Sequence, residues 1–449
     1  MIASLRRSRR PAATVSLPPP FLLTLLYVVL ATVGTALLMT PWAQARPFGW
    51  GDAAFTAVSA VTVTGLVVLD NAADLTMFGQ GVLIMLFQFG GMGLMAFAVL
   101  VMSALGMPVG LSGRLLLRAD LGQTSLRNLV RLAGTLMGFS LLVQLFGVAA
   151  LAVAFVPEMG WAQGLWFSAF HTASAFNNAG FAIEADSLAR WAGDPVVSLA
   201  VPAMFILGGL GFSVVADVLR NRSWRGLGMH SKMMLSGTAA LLALSTAGFA
   251  ILEWRNPATL GALPDHGVRV LASFFQAATT RTAGFSTIDF AEVHDSTALM
   301  TISLMLIGGG PGSTAGGVKV TTFVIMLLAV VAFLKRRQSL HAFGRSIGPD
   351  EVLKVLALTM MAVLVVMISI FALLITQDGD FLDLTFEAVS AFGTVGLSRG
   401  ATGDLDATGR VIVMALMLLG RVGPLTLGYF LATRAPVRIR YPGAQVYLG

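Results

Sequence analysis

Four stretches of this chain share one spacing. Phe55 to Gly65, Phe170 to Gly180, Phe274 to Gly284 and Phe386 to Gly396 each place glycine ten residues after phenylalanine, with small or polar residues between and Leu or Phe next. The glycines are 115, 104 and 112 residues apart. Before them stand Thr62-Val63-Thr64, Asn177-Asn178-Ala179, Arg281-Thr282-Ala283 and Gly393-Thr394-Val395. Arg281 apart, these side chains offer little chemistry, so the useful group is the backbone. A ring of carbonyl oxygens can replace the water shell of a potassium ion. Glycine, lacking Cβ, allows the backbone conformations and close approach that such a ring needs. Helix packing is the competing explanation, because glycine is frequent in membrane helices and this chain has 49. Four glycines in one register favour the ring.

A second stretch is Gly308-Gly309-Gly310-Pro311-Gly312-Ser313-Thr314-Ala315-Gly316-Gly317, inside the apolar segment 297–334. As one helix that segment would be about 57 Å long, against a bilayer core of about 30 Å. Its glycines and proline predict a break into a loop lining the cavity below the ring. It is no phosphate loop: Val318 follows Gly317 where a lysine is required, and no strand precedes it. Lying apart from the ring in sequence, the segment is expected to leave ion selectivity alone. Lys319 and Arg421 fall beside or within apolar spans, where a cation faces a bundle interior or water. Arg281 is expected to point away from the ring, with Asp289 or Glu387 as a partner. His171 reads as a packed, hydrogen-bonded residue. Asp217 and Glu253 lie near span ends and are expected to face water.

These residues must be positioned by membrane helices. The chain is 56% hydrophobic and 11% charged, against about 25% charged in soluble domains. Long apolar segments (21–40, 78–104, 129–156, 195–219, 233–252, 297–334, 352–376 and 410–433) alternate with short ones (52–62, 163–176, 267–280 and 382–392). The short ones cannot span a bilayer and read as re-entrant. Irregular backbone at membrane depth is tolerated where it is buried or lines a water-filled cavity, so four such segments imply a pore. The expected fold is an all-α integral membrane protein with eight transmembrane helices and four re-entrant loops around a pseudo-fourfold axis. It divides into a cytosolic tail 1–20, repeats 21–104, 105–219, 220–334 and 335–433, and a cytosolic tail 434–449. The first span is expected to be retained, with no small-residue cleavage site after it.

The net charge of +7 would suggest nucleic acid until the charges are located. Arg6, Arg7, Arg9 and Arg10, then Arg114, Arg118, Arg127 and Arg131, Arg220, Arg222, Arg225 and Lys232, Lys335, Arg336, Arg337 and Arg345, and finally Arg434, Arg438 and Arg440 all fall on one side of an eight-span topology. That is the cytoplasmic signature: both termini inside, and no nucleic-acid partner. Acids such as Asp70, Asp74, Glu158, Glu184, Asp186, Asp289 and Asp380 gather on the other side, where they raise local cation concentration or serve as ordinary loop charges. There is no cysteine, and the five histidines have no metal-ligand spacing. No catalytic group, covalent cofactor or metal beyond the transported ion is expected.

The loops resemble the Trk/Ktr/HKT superfamily of cation transporters over nearly the whole chain. TTRTAGFST (279–287), GGGPGSTAGGVKVTTF (308–323), FGTVGLS (392–398), GRVGPLTL (420–427) and the terminal RYPGAQVYLG are similar to the membrane subunit of Ktr-type potassium transporters. The resemblance implies potassium uptake at a plasma (inner) membrane, with sodium a candidate activator. It implies a homodimer with one pore per protomer, contacting through Tyr447, Leu448 and Gly449, and a cytosolic ring of nucleotide-binding regulatory subunits. It makes 308–317 an intramembrane gate, with Lys319 adjoining it and Arg421 beneath the filter donating to its carbonyls. The alternative is a sodium-preferring or weakly selective transporter. In plant relatives serine at the first ring position goes with sodium, and here that residue is Gly65. A membrane-embedded enzyme would need clustered His, Asp or Glu at membrane depth, and a scaffold would not need four re-entrant loops.

Overall fold

The computed structural model describes residues 19–91, 129–337 and 339–432. Its helices are α1 (Pro19–Leu38), α2 (Trp50–Thr62), α3 (Met77–Gly91), α4 (Leu129–Met159), α5 (Trp161–Phe176), α6 (Pro195–Gly209), α7 (Phe212–Asn221), α8 (Met229–Glu253), α9 (His266–Thr279), α10 (Asp295–Met305), α11 (Val320–Leu334), α12 (Pro349–Thr376), α13 (Phe381–Gly393) and α14 (Ala407–Ala432). The tail residues Tyr447, Leu448 and Gly449 lie outside the described residues.

Among the described residues three helices are long and apolar enough to cross a membrane: Met137–Met159 within α4, α8 and α12. The broken pair α6–α7 makes a fourth if counted as one span. The four short segments form helices of 13 to 16 residues, α2, α5, α9 and α13. Their starts are set by local chemistry. Asp265 and Asp380 cap α9 and α13 by accepting from the N–H groups of Gly267 and Leu382 at 3.2 and 2.8 Å, satisfying donors that a helix start leaves open. Asp52 accepts from the Gly49 N–H at 3.1 Å at the start of α2.

Two departures from the expected fold have physical causes. The segment 195–219 is not one continuous helix: it bends by 97° between α6 and α7, where Gly211 sits at φ +94, a conformation that costs glycine little. Between α11 and α12 a small antiparallel hairpin pairs β1 (Leu340–Ala342) with β2 (Arg345–Ile347). Phe343 and Gly344, both at positive φ, make its two-residue turn, the geometry that matches strand twist.

The apolar core forms two large clusters, one around α1 to α6 and one around α8 to α14. Phe55, Phe170 and Phe386 of the repeated motif are fully buried; in the third stretch Phe275, not Phe274, takes that place. The residues after the glycines, Leu66, Phe181, Phe285 and Leu397, are buried as well. The motif thus anchors each glycine between two packed apolar side chains.

Candidate functional site

The four glycines form a closed ring. A Cβ built on Gly65 would lie 2.5 Å from the Ala179 carbonyl oxygen and 3.0 Å from Gly180 Cα. One on Gly180 would lie 3.0 Å from the Ala283 oxygen and 2.9 Å from Gly284 Cα. One on Gly284 meets the Val395 oxygen at 2.5 Å, and one on Gly396 would overlap the Thr64 oxygen beside Gly65. The cyclic order is 65, 180, 284, 396 and back to 65. No side chain fits at any of the four positions without displacing backbone.

The loops share a second signature. Val63 (φ 59), Asn178 (φ 57), Thr282 (φ 65) and Thr394 (φ 50) are left-handed, as are Gly65 (φ 91), Gly180 (φ 71), Gly284 (φ 79) and Gly396 (φ 90). In an extended strand, successive residues face opposite sides. A left-handed residue at every second position turns successive carbonyls to the same side. For Val and Thr this is a true outlier, of the kind that persists only when its surroundings enforce it. The enforcement comes from the preceding helices. Ser59 accepts from the Thr64 N–H through its carbonyl (2.8 Å) and from the Gly65 N–H through Oγ (3.0 Å). Ser390 does the same for Val395 (2.9 Å) and Gly396 (3.1 Å). The Ala179 and Ala283 N–H groups donate to the carbonyls of Ser174 and Thr279 at 2.8 and 3.0 Å. These amides are therefore satisfied on the helix side. The C-termini of α2, α5, α9 and α13 all lead into the ring, and a helix C-terminus carries partial negative charge. Such an arrangement suits a cation.

Above the ring lies a cavity of about 630 Å³ with Gly65, Gly180, Gly284 and Gly396 in its lining. Asp70, Glu184, Asp186 and Asp289 also line it. Other acids have local work: Glu158 pairs with Arg190 at 3.2 Å, and Asp380 caps α13.

Against the ring, between α10 and α11, sits the glycine-rich loop. It is fixed by backbone pairing to the bend between α6 and α7: Gly310 N–H donates to the Gly209 carbonyl (2.7 Å), Phe212 N–H to Gly312 (3.0 Å) and Thr314 N–H to Gly208 (3.2 Å). Gly308 N–H donates to Val318 (2.7 Å) and Val320 N–H to Gly309 (3.0 Å), closing the loop on itself. Arg421, 8% exposed, donates to the Thr314 carbonyl of this loop, to the Gly90 and Gly91 carbonyls of α3, and to the Tyr27 hydroxyl of α1 at 3.2 Å. Lys319 Nζ donates to the Ala315 and Gly316 carbonyls at 2.7 and 3.4 Å.

Comparison with known proteins shows the family. The family model described as TrkH, cation transport protein, matches residues 16–436. The chain is 43% identical to the Ktr system potassium uptake protein B of Bacillus subtilis, over 96% of this chain and 97% of that one.

The chain belongs to the TrkH family of cation transport proteins.

A further member, the potassium/sodium uptake protein NtpJ of Enterococcus hirae, is 36% identical over 96% of this chain and 98% of its own length. The crystal structure of the potassium transporter TrkH from Vibrio parahaemolyticus superposes with a TM-score of 0.74 at 20% identity, covering 94% of this chain and 87% of that one. That likeness establishes the fold.

The ring residues and the loop converge, and Arg421 reaches the loop. The loop is not apart from the ring, however. Thr314 Oγ1 donates to Asn178 Oδ1 at 2.7 Å, Arg281 Nη2 approaches the Gly308 carbonyl at 3.5 Å, and a Cβ on Gly316 would overlap the Thr394 side chain. Arg281 thus takes a loop carbonyl rather than Asp289 or Glu387, which accept instead from Ala291 N–H and from Ser398 and Thr402. His171 is fully buried, with Nδ1 against the Phe167 carbonyl at 2.8 Å. Glu253 does not face water. It is fully buried and accepts from Asn256 (2.7 Å), Thr259 (2.7 Å), the His294 N–H (3.0 Å) and Thr297.

Sequence reasoning missed a second set of glycines. A Cβ on Gly90 would overlap the Val61 carbonyl, one on Gly208 the Phe176 carbonyl and one on Gly420 the Phe392 carbonyl. Each of those carbonyls stands four residues before a ring glycine. Gly90-Gly91-Met92-Gly93, Gly208-Gly209-Leu210-Gly211 and Gly308-Gly309-Gly310 carried the signal in the sequence. In the last copy Arg421 stands at the place of the second glycine.

Proposed function

We propose that the chain is the pore-forming subunit of a Ktr-like potassium uptake system. The closed ring of four glycine loops carries this reading. Potassium would gather at the carboxylates of the cavity and shed water against the carbonyls around Gly65, Gly180, Gly284 and Gly396. Thr62 to Gly65, Asn177 to Gly180, Arg281 to Gly284 and Gly393 to Gly396 would form the filter. Carbonyls held by the Ser59 and Ser390 contacts replace the lost hydration shell. The ion would then pass the 308–317 loop, driven by its electrochemical gradient.

In this reading the chain is a multi-pass plasma-membrane protein with four helix–half-helix–helix repeats, eight spans and both termini in the cytoplasm. The half-helices are α2, α5, α9 and α13. The exposed apolar side chains of α12, among them Leu353, Met360, Ile368 and Phe371, suit contact with lipid. The loop, Lys319 and Arg421 act as the gate, because the loop packs against the ring and both cations donate to its carbonyls. A second protomer and a cytosolic nucleotide-binding ring complete the assembly, as expected for a Ktr membrane subunit.

Potassium is favoured over sodium because all four ring positions are glycine. The sodium-preferring reading draws on the Enterococcus relative, whose name includes both ions. Uptake into proteoliposomes holding the purified chain decides between them. Potassium uptake that excess sodium barely reduces is expected. Equal or preferential sodium uptake would favour the second reading, and no uptake of either ion in folded protein would refute both.

A further inference from the structure

Beyond each ring glycine the chain turns along the cavity wall, and in three of the four loops a buried side chain of the preceding helix holds that turn. In two of them it takes the amide of the residue three positions after the glycine. In the second loop the Ile183 N–H donates to His171 Nε2 at 3.4 Å. In the third, Gln276, with its amide oxygen toward the turn, accepts from the Thr287 N–H at 2.8 Å and from Thr287 Oγ1 at 2.9 Å. In the fourth, the Glu387 carboxylate accepts from Ser398 Oγ and, at 2.6 Å, from Thr402 Oγ1. All three acceptors are fully buried and sit eight or nine residues before their glycine. The first loop has Thr56 at that place, and its hydroxyl finds no partner among the described residues.

Three unlike side chains thus reach the same turn from corresponding helix positions. Packing alone would not require an acceptor there, since a buried amide can be satisfied by backbone, and a buried carboxylate is costly unless fully hydrogen-bonded. The turns they hold include Ser398 and Ile288, which line the cavity beside Gly396 and Gly284.

We infer that His171, Gln276 and Glu387 are positioning residues that hold the cavity side of the ring through this turn, and so set its discrimination between cations without touching the ion. The inference rests on the reading of the ring as a selectivity filter. Glu387 matters most, because its two carboxylate oxygens hold the turn at two residues, Ser398 and Thr402.

The test compares potassium and sodium uptake in proteoliposomes, with thermal stability measured separately. Glu387→Ala and Gln276→Met each remove an acceptor; Glu387→Gln keeps a carbonyl oxygen. Gly396→Ser tests the ring itself. The expected result is an about tenfold lower potassium-to-sodium ratio for Glu387→Ala and Gln276→Met, the effect of one misplaced ligand worth about 1.4 kcal/mol, with most of it regained in Glu387→Gln. If Glu387→Ala does not yield folded protein, the neutral Gln276→Met decides. Lower melting temperatures with a wild-type ratio in both, while Gly396→Ser lowers the ratio, would overturn the inference and leave the filter standing. A wild-type ratio in all of them, Gly396→Ser included, would overturn the filter reading and the inference with it.

Discussion

Replacing Arg421 by alanine isolates one link between the helices and the loop. The guanidinium makes three kinds of contact: with the Thr314 carbonyl of the loop, with the Gly90 and Gly91 carbonyls of α3, and with the Tyr27 hydroxyl of α1. Contacts to α1 and α3 join helices and persist whether the loop blocks the path or not, so they cancel in the comparison. The Thr314 contact is lost when the loop withdraws. A hydrogen bond to a charged group is worth about 1.5–3 kcal/mol, so its removal shifts the loop toward the withdrawn state by about 10- to 150-fold. The loop's own pairing to Gly208 and Gly209, and the Lys319 contacts, remain. Potassium flux through Arg421→Ala should therefore rise in proteoliposomes lacking the regulator, toward the regulator-activated wild-type level. Arg421→Lys should fall between, because an ammonium cannot reproduce the planar fork. Reduced flux in well-folded Arg421→Ala protein would refute the reasoning and show that the arginine supports conduction.

Deleting Gly309 to Thr314 should raise flux further and loosen dependence on the regulator. Because Thr314 donates to Asn178, the same deletion should lower potassium-to-sodium discrimination; unchanged discrimination in competition uptake would show that the ring is independent of the loop. Truncation after Arg440 removes Tyr447, Leu448 and Gly449 and should weaken the dimer, which unchanged mass and melting in light scattering would contradict. Glu253→Ala strands the donors of Asn256, Thr259, His294 and Thr297, each costing about 1–3 kcal/mol if left unpaired. It should lower the melting temperature by several degrees while leaving ion selectivity of the folded protein unchanged; an unaltered melting curve would show that these donors find other partners.

Much of this was legible in the sequence, for identifiable reasons. The short helices fall within a few residues of their expected bounds, 52–62 against Trp50–Thr62 and 382–392 against Phe381–Gly393, because each run ends where small residues lead into a glycine turn. The loop break was visible because no bilayer fits a helix as long as 297–334. The bend at Gly211 was hidden. Its glycines lie in an apolar run like many in membrane helices, and their role depends on a loop 100 residues later that supplies the Gly310 and Gly312 contacts. Glu253 was misjudged for a similar reason. Its position near a span end says nothing of the donors that converge on it from 256 to 297. Arg281 meets a backbone carbonyl and not an acid, and a nearby carbonyl in a tightly folded loop leaves no trace in composition.

The ring is the central claim, and single serine substitutions at Gly65, Gly180, Gly284 and Gly396 test it most directly. At each site the added Cβ meets a neighbouring loop's backbone at 3.0 Å or less, at a φ between 71 and 91, so a carbonyl must move. Competitive potassium and sodium uptake by each purified variant in proteoliposomes should show discrimination lowered about tenfold at every one of the four positions, as expected for loss of about 1.4 kcal/mol from one ligand. Wild-type discrimination in four folded variants would contradict a filter built from these glycines.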